Sequence, residues 1–271
     1  MTAILDQIPA LQALMGIPIE RAKASQLFEN YRAVFRQIVR ADRVNQPVHF
    51  EDADARKYRD QAQALMIDLE WMFEGLMRDF ATKPEEFSAI ERKQLKEMTG
   101  FFRGIYRNVA RAELSQLNLG PDCRVLQVGM GPMPLSLVQF QRVTGAQIAG
   151  IDVEQEAVSQ AKEFFSQLHL QDVGAEFHLA NGVDFDYAVF DVILIAATAR
   201  PKDEIVLRIL ETNKASNLHI VNRDTSGWSS LVYRPNPLPD MSDLVVDWQV
   251  SSTPVTSTGY IRASVEDAYD A

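Results

Sequence analysis

The sequence predicts an α/β protein in which an all-helical N-terminal region precedes a doubly wound, mostly parallel β-sheet. Up to Leu119, apolar residues recur at helical spacing and few glycines or prolines interrupt the pattern. After Leu119, short apolar runs alternate with helical stretches, which is the pattern of parallel strands joined by crossover helices. We therefore expect a helical domain over residues 1–118 and a sheet domain over residues 119–271.

The helical region is predicted to contain long amphipathic helices. Two of them cover residues 20–44 and 52–80, and Tyr31 lies on the apolar stripe of the first. The sequence Thr-Lys-Pro-Glu-Glu at residues 82–86 predicts the start of another, because proline fits the first turn and acids there complement the helix dipole. A last helix is predicted over residues 100–117.

The predicted strands of the second region are short apolar runs. They lie at residues 125–128, 147–151, 175–179, 189–196, 217–221, 228–233, 244–250 and 260–264. Ligands of doubly wound sheets bind beyond the carboxyl ends of the strands. We therefore expect the binding site to be formed by the residues that directly follow the first strands of this region.

The stretch from Cys123 to Asp152 has the order strand, glycine turn, helix, strand and acid. Gly129 and Gly131 follow the first strand, where the lack of a Cβ lets the backbone approach a ligand. Asp152 ends the second strand, where a carboxylate can accept hydrogen bonds from both ribose hydroxyls. This order is typical of a nucleotide-binding βαβ unit, although glycines that only shape the turn would give the same pattern.

The turn departs from the dinucleotide-binding motif at its last position. Pro134 stands where that motif has its third glycine, and a proline removes a backbone donor that a pyrophosphate would need. The pattern therefore favours an adenosine ligand without a phosphate at this turn. S-adenosylmethionine (SAM) fits this description, whereas NAD and FAD do not.

Two further stretches fit an adenosine ligand. Asn181 and Gly182 follow the third predicted strand, where a small polar side chain can bind the adenine amino group and a backbone N–H can meet a ring nitrogen. Ala196 closes the fourth, where a small side chain leaves room for the ligand. An ordinary loop is the alternative at both positions.

Composition and charge narrow the range of functions. The net charge of -10 and the pI near 5.0 argue against a nucleic-acid partner, because phosphate binding needs a basic surface. The single cysteine excludes an internal disulfide, and the dispersed histidines show no zinc-ligand spacing. The N-terminus resembles neither a signal peptide nor a membrane span, so we expect a cytoplasmic protein with no membrane partner.

Residues 65–235 contain the stretches GIYRNVARAE, VGMGPMPLS, AATARPK and NRDTSGWSSLVYRP. Together these stretches resemble the nicotianamine synthase family. VGMGPMPLS is similar to the glycine and proline signature of that family, and AATARPK and NRDTSGWSSLVYRP are similar to two of its later segments. GIYRNVARAE, with Tyr106 and Glu113, resembles the family's tyrosine helix, and Glu70 lies in a stretch that resembles the helix with the active-site glutamate. The chain departs in having Ser229 where plant members have a second arginine and in an extra Arg234.

The resemblance implies transfer of the aminobutyrate (3-amino-3-carboxypropyl) arm of SAM to an amine, with release of methylthioadenosine. It implies that Glu70 accepts the amine proton and that Tyr106 orients the amine, with the helical domain as a lid over the site. SAM is the co-substrate, and no metal is expected in catalysis. The residues expected to bind SAM are Gly129, Met130, Gly131, Pro132, Asp152, Asn181, Gly182 and Ala196. Arg223 and Tyr233 are expected to bind the amino-acid substrate.

Each of these assignments has a structural alternative. Tyr106 lies on an apolar stripe typical of a core residue, and Glu70 would also fit a solvated helix face. Arg223, expected just past the fifth strand, could instead form a salt bridge with Asp224 or Asp240.

The acceptor divides the family into two branches. True nicotianamine synthases condense three SAM molecules, whereas the bacterial opine-metallophore enzymes make one transfer to an amino acid, usually histidine. The short chain and Ser229 favour the second branch, with an opine dehydrogenase acting downstream. A homodimer is left open. The alternative functions are a nicotianamine synthase, a small-molecule SAM methyltransferase and a non-catalytic SAM-binding regulator.

Overall fold

The computed structural model describes residues 8–43, 50, 53–167, 174–252 and 254–263. These residues form two compact units. The helical unit holds the described residues up to Phe102 together with Thr225–Pro235 and residues 254–255, and the sheet unit holds Arg103–Asp224, Asn236–Ser252 and the described residues from Thr256 onward. The domain boundary expected after residue 118 stays a prediction.

The described part of the helical unit is built mainly from helices. Its helices are α1 (Pro9–Met15), α2 (Ala24–Arg43), α3 (Ala53–Thr82) and α4 (Ala89–Leu114), of which α4 continues into the sheet unit. Helices α2 and α3 confirm the two long helices predicted from the apolar stripes. The helices of this unit pack around an aromatic core. The centroid of the Tyr31 ring lies 4.9 to 6.3 Å from the ring centroids of Phe35, Phe73, Phe101 and Phe102.

The helix start predicted at residues 82–86 is wrong, and the helix predicted over residues 100–117 is confirmed as helical up to Leu114 but does not start at residue 100. Pro84–Glu86 forms only a 3-10 turn, and one helix runs through 26 residues from Ala89 to Leu114. Ser88 and Glu91 set its start, because the Glu91 N–H donates to the Ser88 hydroxyl and the Ser88 N–H donates to the Glu91 carboxylate. Glycine within a helix costs only about 1 kcal/mol, so Gly100 does not end it.

The segment Thr225–Pro235, named here the strap, contains a 3-10 helix over Gly227–Leu231. The strand predicted at residues 228–233 is therefore wrong. The residues from Trp228 to Leu231 are all buried, whereas a half-buried strand would alternate buried and exposed side chains.

The strap is held by two side chains of the long helices. Asp42 of α2 accepts hydrogen bonds from the Trp228 N–H and the Ser229 hydroxyl, both at 3.1 Å. Gln63 of α3 donates to the Ser230 carbonyl at 2.5 Å. The strap is thus an integral part of the helical unit.

The sheet unit contains a seven-stranded sheet in the order β3-β2-β1-β4-β5-β7-β6. The strands are β1 (Arg124–Val128), β2 (Gln147–Asp152), β3 (Glu176–Leu179), β4 (Val192–Ile195), β5 (His219–Asp224), β6 (Leu244–Ser252) and β7 (Val255–Arg262). Strands β1 to β5 pair in parallel, and β7 pairs antiparallel with β5. The helices between the parallel strands are α5 (Leu135–Thr144), α6 (Gln155–Gln167) and α7 (Lys202–Thr212). This arrangement confirms the predicted fold class.

The chain crosses from the β3 edge to the other side of β1 when it enters β4. Such a reversal of strand order opens a crevice at the carboxyl ends of the two central strands. Strand β4 is fully buried, and β1 is buried from Val125 to Val128. Among the described residues, no helix has the length and apolar character needed to cross a bilayer.

Candidate active site

The glycine turn after β1 contains two residues with left-handed backbone conformation. Gly129 has a φ of 72° and Gly131 a φ of 66°. A Cβ on Gly129 would lie 3.3 Å from the Cβ of Ala196, so this glycine is needed for packing against the end of β4. A Cβ on Gly131 would meet no atom within 4 Å. The backbone at Gly131 therefore borders open space at the carboxyl edge of the sheet.

The other two turn residues that were expected to bind SAM hold the turn in place through buried side chains. Met130 is buried, and its side chain lies directly over Gly150 of β2, where any Cβ would collide with the sulfur. Pro132 is buried as well. Since both side chains face the protein, what this turn can offer a ligand is its backbone.

The carboxylate of Asp152 is fixed at the end of β2. One oxygen accepts a hydrogen bond from the Gly131 N–H at 2.9 Å, and the other accepts from the Glu154 N–H at 3.1 Å. Each carboxylate oxygen can accept a second hydrogen bond. Asp152 therefore links the glycine turn to β2 and keeps the capacity to bind a pair of hydroxyls.

The residues that follow β3 and β4 reach the same edge of the sheet, because β1 to β4 are parallel neighbours. Asn181 is exposed, and its side-chain oxygen accepts a hydrogen bond from the Val183 N–H at 3.2 Å. Gly182 is buried, and a Cβ there would lie 3.0 Å from Ile205, so close packing accounts for this glycine. Ala196 is also buried, and its N–H donates to the carbonyl of Val128.

In the helical unit, the carboxylate of Glu70 on α3 accepts hydrogen bonds from two tyrosines. Tyr31 of α2 donates to one oxygen. Tyr233 of the strap donates to both oxygens at 2.8 Å. The structure thus brings together two of the predicted site residues, Glu70 and Tyr233, and adds Tyr31.

Burial raises the pKa of Glu70 to about 7, although the hydrogen bonds from Tyr31 and Tyr233 act in the opposite direction. A carboxyl group with this pKa populates both protonation states near neutral pH. A general base works best when its pKa lies near the working pH. Glu70 therefore has the properties of a proton acceptor.

Arg223 and Glu113 form a buried ion pair in the sheet unit. Their side chains are 6% and 0% exposed, and the guanidinium contacts the carboxylate through two hydrogen bonds of 2.7 Å. Arg223 also donates to the Ser136 hydroxyl of α5, and Ser257 of β7 donates to Glu113. Burial alone would lower the pKa of Arg223, but the ion pair with Glu113 outweighs it and raises that pKa.

This geometry corrects the expected surroundings of Arg223. The residue lies within β5 rather than past it, and its ion-pair partner is Glu113 rather than Asp224 or Asp240. Tyr106, half-buried about two turns before Glu113 on α4, contributes to the electrostatic environment of Arg223. Tyr106 belongs to the sheet unit and Glu70 to the helical unit.

The sequence interpretation missed the role of Tyr31, which it treated as a core residue. The available signal was its hydroxyl, because a buried tyrosine O–H normally has a hydrogen-bond partner. Two of the four histidines, whose spacing does not fit a zinc site, lie outside the described residues; they are His49 and His169. In the part of the chain that is described, no group of three or more His, Cys, Asp or Glu side chains could hold a metal ion.

The strand order, the glycine turn and the acid at the end of β2 define the Rossmann-like fold of SAM-dependent transferases. Within this class, the chain belongs to the nicotianamine synthase family, because the family model "Nicotianamine synthase protein" matches residues 30–256. The resemblance predicted from the sequence is therefore confirmed.

A curated relative and two solved structures are similar to the chain. The relative is the L-histidine 2-aminobutanoyltransferase of Pseudomonas aeruginosa (strain UCBPP-PA14), 25% identical over 172 residues, and the match spans 62% of each chain. The structures are a mutant of MtNAS in complex with S-adenosylmethionine and MtNAS in complex with MTA and tNA. Both have a TM-score of 0.73 and 16% identity, and the match covers 96% of this chain and 98% of theirs, so they show the fold.

Proposed function

We propose that the protein transfers the aminobutyrate arm of SAM to the amine of an amino acid, histidine, and releases methylthioadenosine. The observation that carries this proposal is the position of Glu70. It lies on the helix that resembles the family's active-site helix, and its carboxylate accepts hydrogen bonds from two phenol hydroxyls. The name of the Pseudomonas relative supports histidine as the acceptor.

The reaction forms one bond and breaks one bond. The amine nitrogen attacks the γ-carbon of the arm, and the bond from that carbon to the sulfonium sulfur breaks. The sulfur leaves as a neutral thioether, so the leaving group needs no proton. The amine loses one proton, and Glu70 accepts it. The protein must therefore supply a base and fix the orientation of the reactants.

Binding of SAM is assigned to the carboxyl ends of β1 to β4. Asp152 binds the ribose hydroxyls, and the backbone of the turn at Gly129, Met130, Gly131 and Pro132 lies along the ligand. Asn181, Gly182 and Ala196 border the adenine. The open space beside Gly131 and the two backbone hydrogen bonds that fix Asp152 support this assignment.

The remaining site residues have separate roles. Tyr106 orients the acceptor amine, and Tyr233 lines the substrate side of Glu70. A substrate-carboxylate clamp at Arg223 stays a prediction, and the bidentate contact with Glu113 supports the salt-bridge alternative. The downstream opine dehydrogenase, the homodimer and the cytoplasmic location belong to the same proposal, and each needs its own test.

The stoichiometry of the purified protein tests the proposal. With SAM and histidine, we expect one methylthioadenosine per product molecule and no product without histidine, measured by mass spectrometry. Three methylthioadenosines per product without histidine would identify a nicotianamine synthase. Release of S-adenosylhomocysteine would identify a methyltransferase. No turnover with a mixed pool of amino acids would favour a regulator that only binds SAM.

A further inference from the structure

The two tyrosines that donate to Glu70 lie in different surroundings. Tyr31 is 0% exposed, whereas Tyr233 is half-buried. Tyr31 contacts one carboxylate oxygen, Oε1, and Tyr233 contacts both Oε1 and Oε2. Oε1 therefore has two phenol donors, and Oε2 has the Tyr233 hydroxyl. The two oxygens of Glu70 therefore differ in the number of hydrogen bonds that they accept.

The ring of Tyr31 is held by aromatic neighbours on three helices. Its centroid lies 4.9 Å from Phe35 on α2, 5.4 Å from Phe73 on α3 and 5.7 Å from Phe102 on α4. A ring packed on several sides cannot change rotamer without opening the core. The Tyr31 hydroxyl is therefore a permanent donor to Glu70.

Tyr233 is also anchored through its backbone. Its carbonyl accepts a hydrogen bond from the Thr225 hydroxyl at 2.9 Å. The strap that carries it is fixed to α2 and α3 further upstream, by Asp42 and Gln63. The half-buried side chain is thus the member of the pair that an incoming amine can displace from Glu70.

We propose that Tyr31 is a positioning residue that holds Oε1 of Glu70, so that Oε2 is the oxygen that receives the proton from the acceptor amine. This inference rests on the proposed function, because it assigns the roles of the two oxygens within that reaction. Tyr31 never touches the substrate, and it acts through Glu70. Its hydrogen bond also stabilises the ionised carboxylate, which must exist before the amine binds.

The described groups that contact Glu70 or its tyrosine partners come from several elements. α2 contributes the Tyr31 hydroxyl, and the strap contributes the Tyr233 hydroxyl. On α3 itself, Glu74 lies one turn further along. α4 contributes the uncharged ring of Phe102 next to Tyr31. A phenol that donates to a carboxylate lowers the pKa of that carboxylate, so loss of the Tyr31 hydroxyl raises the pKa of Glu70 above its value of about 7.

Tyr31→Phe tests the inference, because it removes the hydroxyl and keeps the ring. The full chain is assayed with SAM and histidine, and the initial rate of methylthioadenosine release is measured from pH 5 to pH 10. We expect the rising limb that depends on Glu70 to move about one pH unit higher, since a hydrogen bond to a charged group has about that effect. Titration of the Glu70 side-chain carboxyl by carbon-13 NMR should show the same shift without any substrate.

Tyr58→Phe is the matched control. Tyr58 is a buried tyrosine of α3, and its hydroxyl has no hydrogen-bond partner among the described residues. Its removal should leave both the pH profile and the carboxyl titration at the wild-type position. Glu70→Gln identifies the limb that depends on Glu70, because that limb should be absent in this variant.

The outcomes separate the inference from the proposed function. If Glu70→Gln loses turnover but Tyr31→Phe keeps the wild-type pH profile and only melts at a lower temperature, Tyr31 is a structural residue and the inference is wrong. If Glu70→Gln retains full turnover, the proposed base is wrong. In that case the NMR titration alone still decides whether Tyr31 stabilises the ionised carboxylate.

Discussion

Two glutamates on neighbouring long helices, Glu70 on α3 and Glu113 on α4, lie in contrasting surroundings. Glu113 is 0% exposed and pairs through both oxygens with the guanidinium of Arg223. Glu70 is held by two neutral phenol hydroxyls, and burial raises its pKa to about 7. An arginine stays protonated at all working pH values, so Glu113 faces a permanent positive charge. The two phenol hydroxyls beside Glu70 carry no such charge.

The contrast shows how the partner of a buried acid determines its role. A carboxylate paired with a guanidinium is fixed in charge and position, which suits a residue that joins structural elements. A carboxylate with only hydroxyl donors can gain and lose a proton near neutral pH, which suits a residue that does chemistry. We therefore expect substitutions at Glu70 to affect turnover and substitutions at Glu113 to affect stability.

The largest effect is expected for Glu70→Gln. The amide keeps the shape of the side chain but cannot accept the amine proton, so turnover should fall by about 10²- to 10⁴-fold. The rate of methylthioadenosine release with SAM and histidine measures this loss. The melting temperature should remain within a few degrees of wild type. Glu97→Gln, which changes an exposed acid of α4, is the control and should keep full activity. A large loss of stability with normal turnover would show that Glu70 is a structural residue and not the base.

Glu113→Gln should destabilise the fold by about 3 to 5 kcal/mol, because it leaves the buried guanidinium of Arg223 without a counter-charge. For a chain of this size the melting temperature should fall by on the order of 10 °C. Differential scanning calorimetry measures this change. A double variant, Glu113→Leu with Arg223→Met, should recover most of the loss because it removes both charges. Wild-type stability in the single variant would show that the pair is not structural.

A third acid, Asp152, differs from both glutamates because its partners are backbone N–H groups. Asp152→Asn removes the charge and the acceptor capacity of one oxygen, so SAM binding should weaken by about tenfold, equivalent to about 1.4 kcal/mol. Isothermal titration with SAM measures the affinity. Asp184→Asn, at an exposed position after β3, is the control. Unchanged affinity for SAM would refute the role assigned to Asp152.

The smallest effect is expected for Asp42→Asn. Asp42 accepts two hydrogen bonds from the strap, and the amide can replace only one of these acceptors. The loss should be about 1 kcal/mol or less. Because the strap carries Tyr233, we expect KM for histidine to rise about twofold while kcat stays close to wild type. A fall in kcat as large as that of Glu70→Gln would mean that Asp42 takes part in catalysis directly.

The βαβ unit with its glycine turn and terminal acid could be predicted from the sequence because its signals are local, whereas the assignment of its residues to SAM binding stays a prediction. Gly129, Gly131 and Asp152 lie within one βαβ unit, so their spacing alone defines their geometry. The long helices were predictable for the same reason, since an apolar stripe is read within one segment. Even there, local signals misplaced the start of α4, where the capping pair of Ser88 and Glu91 decides the boundary rather than Pro84.

The partners of the two glutamates could not be predicted, because they come from distant parts of the chain. Tyr233 lies 163 residues from Glu70, and Arg223 lies 110 residues from Glu113. No periodicity encodes contacts over such separations. The strap was misread for a related reason. Its buried apolar residues suggested a strand, while its actual conformation depends on hydrogen bonds that it donates to α2 and accepts from α3.

The proposed reaction moves the arm of SAM, and not its methyl group, to the amine of histidine. The most direct test uses SAM labelled with carbon-13 in the methyl group and nitrogen-15 in the amino group of the arm. Mass spectrometry of the products should find nitrogen-15 in the histidine derivative and carbon-13 in methylthioadenosine. Carbon-13 on the histidine derivative, together with S-adenosylhomocysteine that carries the nitrogen-15, would contradict the account.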